Sequence, residues 1–417
     1  MHKKKLTICI PTYNRPKDIK VFLDTEMKFL DKYNVNVSIF DSSTDDRTKE
    51  LVERINKENV SYLDYYRVDS SISANEKVFM IYQKMYVDYD YVWITHDHTI
   101  FNEESFAYIM DKLEEKADFY FIKTQCGNFG SFVTSDKCEF LYDSAWLLGK
   151  IGAAVIRSDS FLAGVDWDKM NKKYLTPQCL NFSHIGFYFE RASEMPDFKA
   201  MTLEFPRDYF YDIRRFEKLS WDDEAIRICT QGWGKVIKSL PHMYTNKSKV
   251  YTTIDRYFLT KYKLIEYKKR KLFSIGTFLK YSFWIGCVFP ELWWNAFIIA
   301  VLPYGICLRM MSKEIVKNIG EAKKQDRKIC IYGAGKHAQE CMEFCKLLEI
   351  DFDAVLVTNT LGNPEKVGYA DVYDAKSYLC NNKSFVVIAV AESGQNEIVG
   401  YLRQIAKEGA DLKYQRF

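Results

Sequence analysis

Polar side chains follow three short apolar runs in the first hundred residues, and their types could hold a ligand. The runs at 6–10, 37–40 and 91–94 end respectively in Pro11-Thr12-Tyr13-Asn14-Arg15-Pro16, in Asp41 and in Thr95-His96-Asp97-His98. If these runs are strands of one open α/β sheet, polar groups at their carboxyl ends line a ligand crevice. An aspartate bracketed by imidazoles suits a divalent metal, and a divalent metal suits a pyrophosphate.

The elements that would position these residues alternate between strand-like and helix-like patterns. Strands are predicted at 6–10, 37–40, 60–65 and 91–94, and helices at 19–29, 47–56 and 74–86. This alternation is typical of a parallel sheet with helices on its faces, so the sequence predicts an α/β fold. Residues 119–165 have a β-rich pattern with a Gly-containing strand at 151–157, and helices are predicted at 182–193 and 221–240.

Composition excludes several classes of protein. The 417 residues are 47% hydrophobic and 16% aromatic, which excludes a disordered chain and indicates two or three packed domains. A formal net charge of only +3 argues against bulk nucleic-acid binding. The 11 cysteines are scattered without a CxxC pair, which is typical of reduced thiols and predicts a cytoplasmic protein whose cysteines do not bind metal.

A change in composition marks the middle of the chain. A basic run at 261–271 precedes a stretch at 272–311 that is rich in Trp, Phe and Ile and carries charge only at Lys280, Glu291 and Arg309. Its longest uncharged piece is just short of the roughly 20 residues that a membrane-spanning helix needs. Three interpretations stay open: a buried helical hairpin, an anchor at the inner face of the cell membrane, and a true span.

The last ninety residues repeat the strand–turn–helix pattern on a smaller scale. Residues 328–332 read as a strand that ends in Gly333-Ala334-Gly335, with further strands at 354–357 and 385–390 and helices at 338–348 and 396–407. This pattern predicts a small Rossmann-like domain. Since no acidic residue follows the second strand, NAD is not expected, and the domain either binds a nucleotide or sugar or packs in an assembly. The predicted domains are 1–250, 251–326 and 327–417.

The order and spacing of the three strand endings resemble those of family 2 glycosyltransferases with the GT-A fold, over residues 5–240. The resemblance implies an Asp-x-Asp motif that holds Mg²⁺ or Mn²⁺ on the diphosphate of a nucleotide-sugar, with Asp97 as its last aspartate. Thr95 stands where the first aspartate would be, so His98 is expected to supply the missing ligand. His96 is expected to be structural, because it would point to the opposite face from Asp97.

The resemblance also implies contacts with the nucleotide. Asp41 matches the carboxylate that contacts the base, usually uracil, and Asn75 falls near the segment that lines the ribose. The first nucleotide loop would contain Pro11, Thr12 and Tyr13, with Arg15 beside them.

A catalytic base for the acceptor is harder to assign. Family members carry Glu-Asp at the start of a helix, where this sequence has Ser183-His184. A neutral histidine is a competent base near pH 7, so His184 is the candidate, and packing or capping at the start of the helix is the alternative. Asp222 and Asp223 are the second candidates for the base. The alternative is that they are ordinary acidic residues in the first turn of a helix.

The resemblance implies an inverting enzyme that moves a sugar from a nucleotide-sugar, usually UDP-linked, to a hydroxyl of a lipid-linked or growing cell-surface glycan. Capsule, O-antigen and teichoic-acid-like polymers are the products considered. One alternative is a degenerate fold that senses a nucleotide-sugar or acts as a scaffold. A nucleotidyltransferase ranks third, because the loop 11–16 lacks the glycines and has only one of the cations that would grip a triphosphate.

Overall fold

The computed structural model describes residues 4–417 except for 57–61, 178, 180, 207–209, 213–220, 362 and 391. The predicted strand at 60–65 begins in one of these gaps. The chain forms two compact units, one made of residues 1–217 and 227–255, and the other of residues 218–226 and 256–417. Both units contain a parallel sheet with helices, so the predicted α/β class with a second, smaller sheet is confirmed.

The first unit is built on an eight-stranded sheet. The strands of this sheet are β1 (Lys4–Thr12), β2 (Asn36–Asp41), β3 (Leu63–Arg67), β4 (Tyr89–Ile94), β6 (Phe119–Cys126), β7 (Gly130–Thr134), β8 (Ala154–Arg157) and β9 (Ala200–Pro206). Their order is β3-β2-β1-β4-β8-β6-β9-β7. The strands β1 to β4 run parallel, and β8 joins β4 in the antiparallel direction. A separate antiparallel pair consists of β5 (Thr99–Phe101) and β10 (Phe210–Asp212).

Helices cover this sheet, and its central strands are buried on both faces. Every residue of β2 is buried, as expected for a strand inside a parallel sheet. The helices of the unit are α1 (Pro16–Lys32), α2 (Arg47–Asn56), α3 (Ala74–Met85), α4 (Glu103–Lys112), α5 (Lys137–Leu148), α6 (Trp167–Tyr174), α7 (Ser183–Glu194), α8 (Trp233–Ser239) and α9 (Lys247–Val250).

Two predictions of secondary structure in this part of the sequence need correction. The β-rich pattern at 119–165 contains the helix α5, which starts where the Asp136 carboxylate accepts hydrogen bonds from the backbone N–H groups of Cys138 and Glu139. The single helix predicted at 221–240 is instead a 3₁₀ turn at Asp222–Glu224, a π-helical segment at Arg227–Gly232 and the short helix α8.

The second unit combines the aromatic stretch with the smaller sheet. Its helices are α10 (Lys261–Lys269), α11 (Ile275–Val288), α12 (Trp293–Val301), α13 (Tyr304–Lys324), α14 (Lys336–Lys346), α15 (Ala375–Asn381) and α16 (Glu392–Lys407). Its strands are β11 (Lys328–Tyr332), β12 (Ala354–Val357), β13 (Lys366–Val367), β14 (Ala370–Asp374), β15 (Ser384–Ile388) and β16 (Leu412–Arg416), in the order β13-β14-β12-β11-β15-β16. Within the described ranges, no helix is long and apolar enough to cross a membrane.

Candidate active site

The carboxyl ends of β1, β2 and β4 meet at one edge of the large sheet. The three strands are parallel neighbours, and the last residue of β1, Thr12, pairs in register with Asp41 at the end of β2. The backbone N–H of Thr95 donates to the carbonyl of Cys9, so the segment after β4 still runs beside β1. This topology places the loop 11–16, Asp41 and the segment 95–98 around one crevice.

Asp97 is fixed by two side chains of the first loop. Its Oδ2 accepts a hydrogen bond of 2.8 Å from the Thr12 hydroxyl, and its Oδ1 lies 3.2 Å from Nη1 of Arg15. The Asp97 side chain is only 2% exposed, whereas Arg15 is partly exposed. The structure therefore joins three predicted site residues, Thr12, Arg15 and Asp97, in one cluster. The guanidinium of Arg15 is exposed enough to contact a ligand.

The remaining residues of the first loop flank this cluster. Pro11 is half-buried and pairs with Phe40 of β2, whereas the Tyr13 side chain is exposed. An exposed aromatic ring at a strand end offers a flat surface on which a nucleobase could stack.

Asp41 is fully buried, and both of its oxygens are occupied. Oδ1 accepts a hydrogen bond of 2.8 Å from the backbone N–H of Ser43, and Oδ2 accepts one of 2.9 Å from the Tyr65 hydroxyl. The guanidinium of Arg67 lies 3.7 Å from Oδ2. Any contact of a base with Asp41 would therefore share these oxygens with Tyr65 and Arg67, two residues that the sequence analysis did not single out.

Lys77 is a further site residue that the sequence analysis missed. Its side chain is only 4% exposed, and its ammonium group donates to the Thr12 carbonyl at 3.0 Å and to the Ser42 hydroxyl at 2.5 Å. Burial lowers the pKa of Lys77 to about 8, although the nearby carboxylates of Asp41 and Asp97 oppose this shift. The crevice thus contains a second cation directly beneath the first loop.

A signal for Lys77 was present in the sequence. Helix α3 begins at a capping box in which Ser73 and Glu76 each accept the other's backbone N–H. Counting from that start, Lys77 lies four residues before Ile81 and eight before Met85, on the stripe that a helix of this kind buries. A lysine on a buried stripe indicates a specific partner, because an ammonium group is rarely buried without one.

Asn75, the predicted ribose contact, connects α3 to α7. Its side-chain oxygen accepts a hydrogen bond of 2.6 Å from the hydroxyl of Ser183, the first residue of α7. Asn75 also lies two residues before Lys77, in the first turn of α3. The structure therefore brings the start of α7 close to the start of α3, the helix that carries Lys77.

The expected metal pair is not assembled in this arrangement. Both oxygens of Asp97 are engaged by Thr12 and Arg15, and the ring of His98 stacks on that of His96, with centroids 4.7 Å apart. Over the described part of the chain, no group of three His, Cys, Asp or Glu side chains could hold a metal ion. The residues present do not fit the divalent metal predicted from Asp97 and His98, and the two histidines, expected to differ in role, form one stacked pair.

His184 lies in the protein interior. Its Nε2 is 3.2 Å from the carbonyl oxygen of Leu148, and its ring packs edge-on against Tyr188. Burial lowers the pKa of His184 to about 4, although its hydrogen bonds to backbone carbonyls oppose the shift. Of the two roles left open by the sequence, this position favours packing at the start of α7 over proton transfer from an acceptor.

The packing role of His184 makes a prediction about pH. Because its folded-state pKa lies below the unfolded value of 6.5, the unfolded chain takes up the proton first, and stability is lost as the pH falls from 6.5 toward 4. We expect about 2 kcal/mol of this loss between pH 7.5 and 5, and its disappearance in His184→Gln. Urea unfolding at the two pH values measures it. A fall in turnover of about 100-fold in His184→Gln at pH 7 would instead support the base role.

The reserve candidates Asp222 and Asp223 belong to the second unit and are held there by ion pairs. Asp222 accepts hydrogen bonds from the Tyr267 hydroxyl at 3.0 Å and from Nη1 of Arg270 at 2.7 Å. Asp223 also pairs with Arg270. These contacts favour the structural alternative for both aspartates.

Comparison with known proteins gives distant structural likenesses only. No family model matches the chain, and no curated protein does. Residues 1–349 of S. aureus TarS in complex with UDP-GlcNAc align with a TM-score of 0.44 at 13% identity, covering 78% of this chain and 93% of that one. The mannosyltransferase PcManGT from Pyrobaculum calidifontis, in complex with GDP-Man and Mn²⁺, aligns with a TM-score of 0.39 at 16% identity, covering 72% and 86%.

A third likeness is to glucosyl-3-phosphoglycerate synthase from Mycobacterium tuberculosis in complex with Mn²⁺, UDP and glucosyl-3-phosphoglycerate. It has a TM-score of 0.36 at 11% identity and covers 57% of this chain and 80% of that one. At these scores and identities the likenesses carry no conclusion about activity.

Proposed function

We propose that this chain is a family 2 glycosyltransferase with a GT-A domain at 1–250. It would transfer a sugar with inversion from a UDP-linked nucleotide-sugar to a hydroxyl of a lipid-linked or growing cell-surface glycan. The observation that carries the proposal is the cluster of Thr12, Arg15, Lys77 and Asp97 at the carboxyl ends of adjacent parallel strands. Such a crevice with two cations suits the diphosphate of a nucleotide-sugar.

The chemistry of the transfer explains why the cations matter. The bond between the anomeric carbon and the phosphate oxygen breaks, and negative charge grows on the departing diphosphate. The acceptor oxygen bonds to the same carbon from the opposite face, and the proton of its hydroxyl passes to solvent water. Hydrogen bonds already hold Arg15 on Asp97 and Lys77 on the Thr12 carbonyl, so both cations would stabilise the growing charge with little reorganisation. Asp97 would orient Arg15. Tyr13 and Asp41 would contact the base, Asp41 through oxygens that it shares with Tyr65 and Arg67.

The second unit would place the enzyme at the membrane and pack against other subunits in an assembly. The proposed division is a helical region at 251–326 and a Rossmann-like domain at 327–417, working at the inner face of the cell membrane. The tight turn after β11 supports the latter, because Gly333 has a φ of +119° and an added Cβ would lie 2.8 Å from the Ala389 carbonyl. We favour a packing role for this domain, since Val357-Thr358-Asn359 offers no acidic ribose ligand.

Release of free nucleoside diphosphate from a panel of nucleotide-sugars tests the proposal. The intact chain is assayed with Mn²⁺, with Mg²⁺ and with EDTA, first alone and then with an extract of lipid-linked saccharides as acceptor. We expect one donor to turn over and the sugar to appear in the extract. If no donor is turned over in any of these conditions, the proposed transferase activity is contradicted.

A nucleotide-sugar sensor is the second candidate, and the position of His184 favours it. Transfer requires a base to take the proton of the acceptor hydroxyl, and His184 is buried against Leu148. A sensor would bind one donor tightly without releasing diphosphate even when acceptor extract is present. Calorimetric binding on the same donor panel therefore separates a sensor from a transferase.

A further inference from the structure

Helices α11, α12 and α13 of the second unit expose a broad apolar surface. On the inner side, Phe278 of α11 packs against Trp293 and Phe297 of α12, with ring centroids 5.4 and 5.7 Å apart. The other side faces solvent, where Leu279, Phe283 and Trp294 are 67%, 66% and 68% exposed. These three residues form the α11–α13 surface together with four further exposed apolar side chains, Ile275, Val301, Ile306 and Met310.

Helical spacing groups the exposed apolar side chains of one helix into a stripe. Ile275, Leu279 and Phe283 are separated by four residues each along α11, so they form one stripe. Trp294 and Val301 are separated by seven residues along α12, and both are exposed. Solitary exposed apolar residues are normal on a soluble protein, but a grouped set including Trp and Phe marks an interaction site.

The charges around this surface indicate its partner. Residues 275–317 contain four basic residues and two acidic ones, Glu291 and Glu314. Glu291 lies 3.1 Å from the guanidinium of Arg256 and is therefore neutralised within the unit. The basic residues are Lys280, which follows Leu279 on α11, and the exposed Arg309 and Lys313, four residues apart on α13. Lys317, the next in this row, lies 4.0 Å from Glu321. An apolar surface bordered by a basic stripe complements an anionic lipid headgroup layer.

Three of the six cations in the basic run at 261–271, by contrast, are occupied by internal contacts. The Lys268 ammonium donates to the carbonyls of Ile299 and Ala300 at 2.6 and 2.9 Å. It thereby provides hydrogen-bond donors for carbonyl groups in the last turn of α12, which lack partners within the helix. Lys263 is buried, and Arg270 is paired with Asp222. The cations of α11 and α13 are therefore better placed for a membrane surface than the run that is most obvious in the sequence.

We infer that the α11–α13 surface binds the face of an anionic bilayer. Leu279, Phe283 and Trp294 would enter the boundary between headgroups and acyl chains, and Arg309 and Lys313 would contact lipid phosphates. The inference deepens the proposed function, since it brings the chain to a lipid-linked acceptor. Its test is made without donor or acceptor, so that its outcome is independent of any transferase activity.

Flotation with liposomes tests the inference on the full chain. Vesicles of phosphatidylcholine alone are compared with vesicles that contain one third phosphatidylglycerol. We expect binding to the anionic vesicles, a loss of about tenfold or more in Leu279→Ser/Phe283→Ser/Trp294→Ser, and a smaller loss with weaker salt dependence in Arg309→Glu/Lys313→Glu. Phe132→Ser is the matched control, because Phe132 is an exposed aromatic residue of the first unit.

Three results would overturn the inference. The first is a wild-type chain that does not float with anionic vesicles. The second is equal binding by the wild type and by both variants, with each variant shown to be folded by its thermal melt. The third is a dimer in size-exclusion chromatography that the three serine substitutions convert to a monomer, with no vesicle binding, which would identify a second copy of the chain as the occupant.

Discussion

Lys77→Met should lower the rate of nucleoside diphosphate release by about 100-fold, because it removes a fixed positive charge from beneath the first loop. The methionine keeps most of the aliphatic volume, so the packing of α3 is retained. Donor binding should also lose its dependence on pH. In the wild type, the Lys77 pKa of about 8 means that the cation is lost above that value, and UDP should bind about tenfold more weakly at pH 9 than at pH 7.

Titration calorimetry with UDP and a diphosphate-release assay measure both effects. Lys84→Met is the matched control, since Lys84 is an exposed lysine of the same helix. Lys77→Arg keeps the charge and shows whether a loss reflects the cation or the fold. Activity and pH dependence in Lys77→Met that equal those of Lys84→Met would show that Lys77 only supports the loop.

Asp97→Ala should reduce turnover to a similar extent, by about 100-fold, through its effect on Arg15 and Thr12. Without the carboxylate, the Arg15 guanidinium and the Thr12 hydroxyl lose their shared acceptor, and the loop no longer presents a fixed cation. Asp97→Asn should be less severe, because its side-chain oxygen still accepts from Thr12. Steady-state kinetics with the donor identified in the panel measure the loss as a lower kcat.

The control for this substitution is Asp24→Ala, which removes an exposed aspartate from α1. If Asp97 merely restrains Arg15, Asp97→Ala should bind the donor more tightly and turn it over at least as fast as the wild type. That result would assign Asp97 an inhibitory rather than an orienting part.

The contacts at the sheet edge could be anticipated because they depend on strand order more than on detailed packing. An apolar run that ends at Thr12 and another that leads to Asp97 suffice to bring these residues together once β1 and β4 are parallel neighbours. The pattern of alternating strands and helices carries that information. The hydrogen-bond partners of each carboxylate, such as Tyr65 for Asp41, depend on side-chain geometry and could not be predicted from strand order.

Lys77 and His184 differ in how far the sequence pattern indicates their burial. Both are polar residues at helix positions that turn out to be buried, and burial is decided by which neighbouring element covers the helix. The stripe shared with Ile81 and Met85 would have indicated Lys77, but a histidine in the first turn of α7 carries no comparable signal. Lys268 likewise reads as a surface charge in a basic run, although it closes the last turn of α12.

The ion pair between Arg15 and Asp97 has a consequence for selectivity. Since the guanidinium already has a counter-charge, an incoming anion meets a cation whose charge is partly offset, and it must bind the N–H groups that do not face Asp97. A weakly charged or monodentate anion gains little from such a contact. A diphosphate has more charge and more oxygens to offer the guanidinium, so the protein would discriminate against inorganic phosphate and nucleoside monophosphates.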